Sequence, residues 1–284
     1  MEYRTFTLGK DDDARRIDRI LRKFLPDTRL SAIYRLIRRG SIRVNDLKVK
    51  PDSRVYEGQT LAIASSVLPS SPSSLSSPRS RLANLSPYPV LCETPDVVFV
   101  DKPAGIAVHG PDGMSERMEH LAGSLSLSFQ SGPLHRLDKD TTGIIAFSKS
   151  LLGARWFTKA LGDRSVGKEY LGIVEGSPLS YGVWEDLDDE GRPMRTETAG
   201  IGQASIPGLG VVSFVSFRIL TGRKHQIRIG ASRRGHPLLG DSRYGGTPFP
   251  YRESTSFFLH AWRLTLPEER PAGLPDSLVA PIPE

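Results

Sequence analysis

The sequence predicts an α+β fold in two parts joined by a linker. Residues 1–63 combine two amphipathic helical patterns with short β-type segments, which predicts a small module. Residues 64–87 are rich in serine and proline and predict a flexible linker. Residues 88–284 carry apolar β-type segments separated by glycine, proline and aspartate turns. They predict a strand-dominated domain with a mixed or antiparallel sheet and a central cleft.

The module opens with two helical patterns. Residues 14–25, ARRIDRILRKFL, place apolar side chains at helical spacing, and Pro26 would end this helix. Ser31 is a favoured N-cap type, so we expect the second helix to begin there. Gly40 suits the residue just after that helix, where the backbone adopts a left-handed conformation.

The positive charge of the chain is concentrated in this module. Residues 1–62 contain 15 lysines and arginines against 9 acidic residues, whereas the rest contains 23 of each. Arg35, Arg38 and Arg39 lie three and four residues apart in the second helix and share one face. Charge alone leaves two interpretations open, a solvated cationic face and a surface for a polyanion such as nucleic acid.

The β-type segments are short, and glycine, proline or aspartate separates most of them. In the module they are IRV, LKVK, RVYEG and TLAI, with a turn at Asn45-Asp46. In the second domain they are VVFVDKP, GIIAFSK, YLGIVEG, GVVSFVSFRIL and FFLHAWRLTLP. Residues 149–161 form the clearest helical stretch of that domain.

Composition excludes several classes of protein. The 284 residues are 38% hydrophobic and 25% charged, as expected for a globular protein. No apolar run reaches the roughly 18 residues of a membrane helix. Cys92 is the only cysteine, so an intrachain disulfide is excluded and a reducing, cytoplasmic compartment is expected. No Cys/His spacing indicates zinc, and we expect no metal.

Residues 135–143, HRLDKDTTG, are the first candidate site. Asp138 and Asp140 resemble the start of a calcium loop, but the twelfth residue from Asp138 is Lys149, where the metal needs a carboxylate. A glycosidase would use two carboxylates, yet Asp140 belongs to a turn-forming DTTG stretch. These nine residues alone favour a structural turn over a catalytic acid.

Residues 221–228, TGRKHQIR, are the second candidate site. They follow an apolar β-type segment, so the sequence predicts an extended strand with Gln226 and Arg228 on one side and Ile227 on the other. Arg228 offers a planar, permanently charged group suited to a carboxylate or phosphate. Paired with Arg228, Asp138 would stay ionised at neutral pH. The alternative for Arg228 is a surface salt bridge worth about 0–1 kcal/mol.

Together these segments resemble the RluA-type pseudouridine synthases, whose motifs HRLDxxTSG and TGRTHQIR they match. Further matches follow in the family's order: DKPAGIAVHG (101–110), KEYLGIVEG (168–176), GHPLLGDSRYG (235–245) and FFLHAWRLTLP (257–267). The first module resembles the αL RNA-binding module of some ribosomal proteins and tyrosyl-tRNA synthetases. Thr142, Lys224 and Gly230 depart from the family's usual Ser, Thr and His.

The resemblance implies an RNA enzyme that isomerises uridine to pseudouridine without a cofactor. Asp138 would be the catalytic carboxylate, and would either bond to the anomeric carbon or remove a sugar proton. Arg228 would pair with Asp138, and Tyr170 would stack on the base while its hydroxyl helps to move the proton of carbon 5. The target nucleotide would have to flip out of any helix.

The resemblance also implies substrate contacts. Arg136 would fill the place of the flipped base or hold phosphate, and His135 would be structural. The remaining substrate-binding candidates are His109, Arg223, His225, Gln226 and Ile227.

Arg35, Arg38 and Arg39 would bind RNA. SAIYRLIRRGSIRVN and GIAVHG most resemble members that modify large-subunit ribosomal RNA, so we expect that RNA as partner and a monomeric enzyme away from membranes. A related tRNA synthase, a non-catalytic RNA-binding protein and a nucleoside hydrolase-like enzyme are the alternatives.

Overall fold

The structure is a computed structural model of the chain, and it describes residues 2–25, 27–68, 86–118, 129–177, 181–249 and 257–283. Pro26 and most of the expected linker, residues 69–85, lie outside the described residues. The chain divides into two compact units: residues 1–85, 118–132 and 148–154, and residues 86–117, 133–147 and 155–284.

The first 68 residues form a small α+β module. Its elements are β1 (Tyr3–Thr7), β2 (Arg15–Arg16), α1 (Ile17–Phe24), α2 (Leu30–Arg39), β3 (Ile42–Val44), β4 (Leu47–Lys48), β5 (Arg54–Val55) and β6 (Thr60–Ala64). The strands pair in the order β1-β6-β3-β4, and β2 pairs with β5. Ile17, Ile33 and Ile63 contribute to one apolar core. Leu68 also belongs to that core, so ordered packing continues past the expected boundary at residue 63.

The helix boundaries of the module differ from the expected ones at their N-terminal ends. α1 begins at Ile17, because Arg15 and Arg16 are extended and pair with β5. The expectation that Ser31 caps α2 is wrong, since α2 begins at Leu30 after Arg29. Gly40 does end α2 with a φ of 77°, the left-handed conformation that a glycine adopts without steric cost. Arg35, Arg38 and Arg39 are exposed on α2.

The elements from residue 90 onward build the large sheet and its helices. They are β7 (Val90–Glu93), β8 (Val97–Lys102), α3 (Met114–Arg117), β9 (Gly132–Pro133), β10 (Thr142–Ser148), α4 (Leu151–Gly162), β11 (Gly167–Glu175), β12 (Tyr181–Leu187), β13 (Pro193–Ile206), β14 (Gly210–Ile219), α5 (Gln226–Arg233), β15 (Leu259–Thr265) and β16 (Ser277–Val279). The five apolar β-type segments expected in this region are all strands, and the helix expected at 149–161 is α4.

In the described part of the chain, ten strands form one mixed sheet. Eight pair in the order β12-β13-β14-β11-β15-β10-β8-β7, while β16 pairs with β15 and β9 with β10. β10 and β15 run parallel, whereas β11 is antiparallel to both β14 and β15. The strand-dominated α+β fold is therefore confirmed.

An apolar core packs beneath this sheet. It includes Phe99 of β8, Ile144 of β10, Phe157 of α4 and Leu264 of β15. β8 and β10 are almost continuous apolar runs, because side chains on both of their faces are buried. Among the described helices, none combines the length and apolar character required to cross a membrane.

Candidate active site

Asp138 lies in the turn that leads into β10, and the buried side chain of Lys102 holds this turn. The Lys102 ammonium, at the end of β8, donates to the carbonyl oxygens of Lys139 at 2.7 Å, Thr141 at 2.9 Å and Pro103 at 2.9 Å. Burial lowers the pKa of Lys102 to about 8, against the opposing effect of nearby carboxylates. The acceptors of Lys139 and Thr141 fix the backbone on the C-terminal side of Asp138.

Gly143 completes this turn because β15 passes too close for any other residue. Its φ is 103°, and an added Cβ would lie 2.2 Å from the carbonyl oxygen of Ala261. Next to it, the Thr142 hydroxyl lies 2.8 Å from Nδ1 of His260. The departure from serine at position 142 therefore keeps a hydroxyl that is in use.

Arg228 is on a helix, so the extended strand expected over TGRKHQIR is wrong. The chain leaves β14 at Ile219 and enters α5 at Gln226, with His225 in the left-handed conformation at a φ of 54°. The Gln226 side-chain oxygen causes this turn by accepting from the Thr221 hydroxyl at 2.7 Å and the Arg223 N–H at 3.1 Å. Gln226 and Arg228 point to different sides as a result.

The Arg228 guanidinium connects two carboxylates. Nη1 lies 3.2 Å from Oδ2 of Asp138. Nε and Nη2 donate to the two oxygens of Asp241 at 2.7 and 2.8 Å, a bidentate pair in which both residues are buried. The guanidinium carbon also lies 4.2 Å from the ring centroid of Phe257 and 4.9 Å from that of Tyr244. These contacts fix the orientation of Arg228, and one of its N–H groups faces Asp138.

His225 is the third residue at the Asp138 carboxylate. Its Nε2 lies 3.7 Å from Oδ1 of Asp138, and its Nδ1 lies 2.8 Å from the Tyr244 hydroxyl. Burial lowers the pKa of His225, the charge of Asp138 raises it, and Arg228 lowers it. A neutral imidazole at pH 7 leaves Arg228 as the permanent positive charge beside Asp138.

Tyr170 lies on β11, at a register shift between Glu169 and Tyr170 in the pairing with β15. It is 8% exposed. Burial raises the pKa of its hydroxyl well above the ordinary value, and the charge of Asp138 raises it further. Tyr170 is therefore a neutral phenol within electrostatic reach of Asp138.

The other histidine and arginine candidates are placed differently. His135 packs its ring on Phe157, with 5.8 Å between centroids, and its Nε2 accepts from the Ala146 N–H at 3.1 Å. Burial lowers the pKa of His135 to about 3, with a smaller effect from Lys168. Arg136 and His109 are exposed, and within the described residues neither makes a hydrogen bond or ion pair to the Asp138 cluster.

Gln226, Ile227 and Arg223 do not reach Asp138 in the structure. Gln226 is buried, and its amide nitrogen donates to Thr196 and to the Arg195 carbonyl, both at 2.9 Å. Ile227 is 5% exposed within the apolar packing. Their placement indicates that they shape the turn between β14 and α5.

Sequence reasoning missed Lys102, Asp241, Tyr244 and Phe257 as members of this site. All four belong to motifs that were matched, but spacing alone does not show which motif residues meet in space.

The departure at Gly230 has a structural reason. An added Cβ there would lie 2.9 Å from the Trp184 ring, which occupies the space that a larger side chain would need.

No group of three or more His, Cys, Asp or Glu residues in the described parts of the chain could hold a metal ion. The sequence model of the RNA pseudouridylate synthase family matches residues 96–232, which contain Asp138, Tyr170 and Arg228. Over these residues, just under half of the chain, the sequence is similar to this family. Accordingly, the protein is an RNA pseudouridine synthase, an enzyme that isomerises uridine in RNA.

Curated relatives support this family over most of the chain's length. This pseudouridine synthase is 29% identical over 278 residues to "Ribosomal large subunit pseudouridine synthase C" of Haemophilus ducreyi, covering 90% of this chain and 85% of that one. It is 28% identical over 276 residues to the Escherichia coli K12 protein of the same name, covering 88% and 84%. With 90% of the chain aligned, the similarity extends into the N-terminal module as well as the large sheet.

Solved structures share the fold. "Human RNA Pseudouridylate Synthase Domain Containing 4" has a TM-score of 0.56 and 24% identity, and the match covers 69% of this synthase and 88% of that chain. "Human RNA Pseudouridylate Synthase Domain Containing 1" has a TM-score of 0.54 and 22% identity, covering 65% and 80%. At these identities the similarity shows the fold alone.

Proposed function

We propose that this pseudouridine synthase isomerises specific uridines of large-subunit ribosomal RNA. The observation that carries the catalytic part is the 3.2 Å contact between Asp138 and Arg228, with Tyr170 buried within electrostatic reach. The ribosomal substrate is supported by relatives whose names specify the large ribosomal subunit and which align over about 90% of the chain. Such a substrate implies action in the cytoplasm, and the enzyme acts as a monomer without metal.

Asp138 acts on the ribose while the bond between N1 of uracil and the anomeric carbon breaks. Departure of the base leaves positive charge on the sugar, which a nearby carboxylate stabilises. Arg228 places a permanent positive charge beside Asp138, and Asp241 keeps the guanidinium oriented toward it. Asp138 is 25% exposed in its side chain, so a flipped nucleotide can approach it from solvent.

Tyr170 supports the base rather than acting as an ionised general base. The detached uracil turns and rejoins through carbon 5, which then loses a proton while N1 gains one. A phenol with a raised pKa stays protonated at neutral pH, so its hydroxyl can only relay that proton. Its ring offers an apolar face for the uracil while the base turns.

The N-terminal module supplies RNA affinity rather than chemistry. Arg35, Arg38 and Arg39 are exposed on one helix, in a region with six more basic than acidic residues. A tethered basic module raises the local concentration of the catalytic domain on RNA. Phosphate contacts of this kind weaken steeply with salt.

Mapping pseudouridines in ribosomal and transfer RNA from cells with and without the gene tests the substrate. We expect at least one large-subunit position to revert to uridine in the deletion strain and to be restored by the wild-type gene. Restoration must fail with the Asp138→Asn gene. Loss of a pseudouridine in tRNA alone would contradict the ribosomal assignment.

A further inference from the structure

A cavity opens at the edge of the large sheet where β11 begins and β14 ends. Its volume is about 490 Å³, within the range of about 300–1,000 Å³ of small-molecule sites. Five of its lining residues are cationic and none is acidic: Arg164, Lys168, Arg195, Arg218 and Arg223. We call this cavity the basic pocket.

Three cations of the basic pocket have no carboxylate partner within the described parts of the chain, namely Arg164, Lys168 and Arg223. The Lys168 ammonium lies near Gly222, where an added Cβ would be 3.6 Å from Nζ. Burial alone lowers the pKa of Lys168. A largely buried ammonium without a counter-ion is costly, so an anion in the pocket would stabilise it.

The other two cations of the basic pocket form ion pairs. Arg195 lies 3.2 Å from Glu185 and Arg218 lies 3.4 Å from Glu197, and in both pairs the arginine is exposed to solvent. Such exposed pairs are weak and exchange readily for a stronger acceptor. The guanidinium groups are therefore available to a phosphate, which arginine binds through two parallel hydrogen bonds.

The wall of the basic pocket is fixed by the buried Gln226. Its side chain accepts from Thr221 and from the Arg223 N–H, and donates to the Arg195 carbonyl. The Arg195 N–H in turn donates to the Thr221 hydroxyl at 2.9 Å. The backbone that carries two of the five cations is thus held in place before any ligand binds.

The basic pocket adjoins the active site in sequence and in space. Lys168 is two residues before Tyr170 on β11, and both line a second, smaller cavity. Arg223 is two residues before His225, which contacts Asp138. These neighbours place the basic pocket beside residues of the active site.

We propose that the basic pocket binds one backbone phosphate of the RNA strand that carries the target uridine. This assignment rests on the RNA substrate proposed above. Five cations around a single phosphate would neutralise it and hold the strand beside Asp138, so the site positions RNA and takes no part in bond breaking.

The test compares the RNA affinity of Lys168→Gln/Arg164→Gln with that of Lys159→Gln/Arg155→Gln. The control removes two exposed cations of α4 that do not line the pocket. Dissociation constants for a labelled single-stranded RNA, measured by fluorescence anisotropy over a series of salt concentrations, should be about tenfold weaker for the pocket variant. The slope of log affinity against log salt should be flatter by about 0.7, the change for one lost phosphate contact.

A neutral phosphate identifies the contact directly. A single methylphosphonate placed in turn at each position around the target uridine should weaken wild-type binding at one position and leave the pocket variant unaffected there. Lys168→Arg keeps the positive charge, so it should bind RNA with the affinity and the salt slope of the wild type. Lys168→Gln alone serves if the double variant melts at a lower temperature than the wild type.

Two outcomes would overturn the proposal. One is equal affinity and equal salt slope for the pocket variant and the wild type. The other is that inorganic phosphate binds to the wild type in calorimetry while the pocket variant keeps the RNA affinity of the wild type. The pocket would then be a small-anion site. Affinity is read without turnover, so a failure to modify ribosomal RNA would contradict the proposed function while leaving this measurement valid.

Discussion

Replacing Asp241 with asparagine would remove the carboxylate that forms the bidentate pair with Arg228. Arg228 is 7% exposed and Asp241 is 1% exposed, and two hydrogen bonds of 2.7 and 2.8 Å join them. Breaking a buried ion pair by neutralising one partner costs about 3–5 kcal/mol. Because Asp138 still compensates Arg228 and asparagine keeps one acceptor oxygen, we expect a loss of about 2–3 kcal/mol in the free energy of unfolding.

The same substitution should reduce turnover. With one acceptor lost, the guanidinium would shift away from its 3.2 Å contact with Asp138. A misplacement of about 1 Å in an active site costs on the order of 100-fold. We therefore expect kcat of Asp241→Asn to fall by about 10- to 100-fold while KM changes little, because Asp241 is buried and cannot touch RNA.

Urea unfolding and steady-state kinetics measure both effects. Asp163→Asn is the matched control, since Asp163 forms an exposed pair with Lys159 at 3.6 Å and its loss should change stability by less than about 0.5 kcal/mol. If Asp241→Asn matched this control in stability and the wild type in kcat, the claim that Asp241 orients Arg228 would be refuted.

Three further predictions concern other parts of the chain. Tyr170→Phe keeps the ring and loses the hydroxyl, so kcat should fall while the dissociation constant for RNA stays within about twofold; full activity would limit Tyr170 to a platform. His135 has a pKa of about 3 in the folded protein against about 6.5 unfolded, so lowering the pH below 6.5 protonates the unfolded state first and removes about 1.4 kcal/mol of stability per pH unit. Between pH 7 and pH 5, the free energy of unfolding measured with urea should fall by about 2 kcal/mol more in the wild type than in His135→Gln. Equal decreases in the two proteins would exclude the buried neutral histidine as the cause. Replacing Arg35, Arg38 and Arg39 together with Gln should weaken ribosomal RNA binding and flatten its salt dependence, as measured by filter binding, whereas an unchanged salt slope would separate these arginines from RNA.

The sheet could be predicted where its strands are buried. Segments such as residues 97–102 and 142–148 are continuous apolar runs bounded by turn residues, so their type and position were predicted to within a residue or two. β12 and β13 were not predicted, because both carry polar, charged and glycine residues, and β12 is the edge strand with β13 as its neighbour. An edge strand lacks the apolar pattern that identifies a central one.

The error over TGRKHQIR has a local cause. An apolar strand precedes this segment, and its own periodicity is too short to separate a strand from a helix. The helix forms because the buried Gln226 side chain bonds to the backbone of its own turn, a tertiary arrangement that pattern reasoning does not include. The same limit hid Asp241, whose contact with Arg228 spans 13 residues.

The pairing of Asp138 with Arg228 could be predicted only when the two segments that carry them were considered together. Each segment alone fitted a turn or a surface salt bridge, and the two residues are 90 positions apart. Their meeting depends on β10 and α5 being brought together by the strands between them. The role of Lys102 could not be predicted either. A buried lysine needs hydrogen-bond acceptors for its ammonium group, and the sequence does not show which residues provide them.

The most direct test of the account is the reaction of Asp138→Asn with ribosomal RNA in vitro. Asparagine is nearly isosteric with aspartate and neutral, so the variant should retain the melting temperature of the wild type to within a few degrees. Isomerisation leaves an additional base that reacts with carbodiimide, and quantifying this adduct over time measures turnover. We expect wild-type enzyme to produce it and Asp138→Asn to produce none above background. Turnover by Asp138→Asn within tenfold of the wild type, in a preparation free of host enzyme, would contradict the assignment of Asp138 as the catalytic carboxylate.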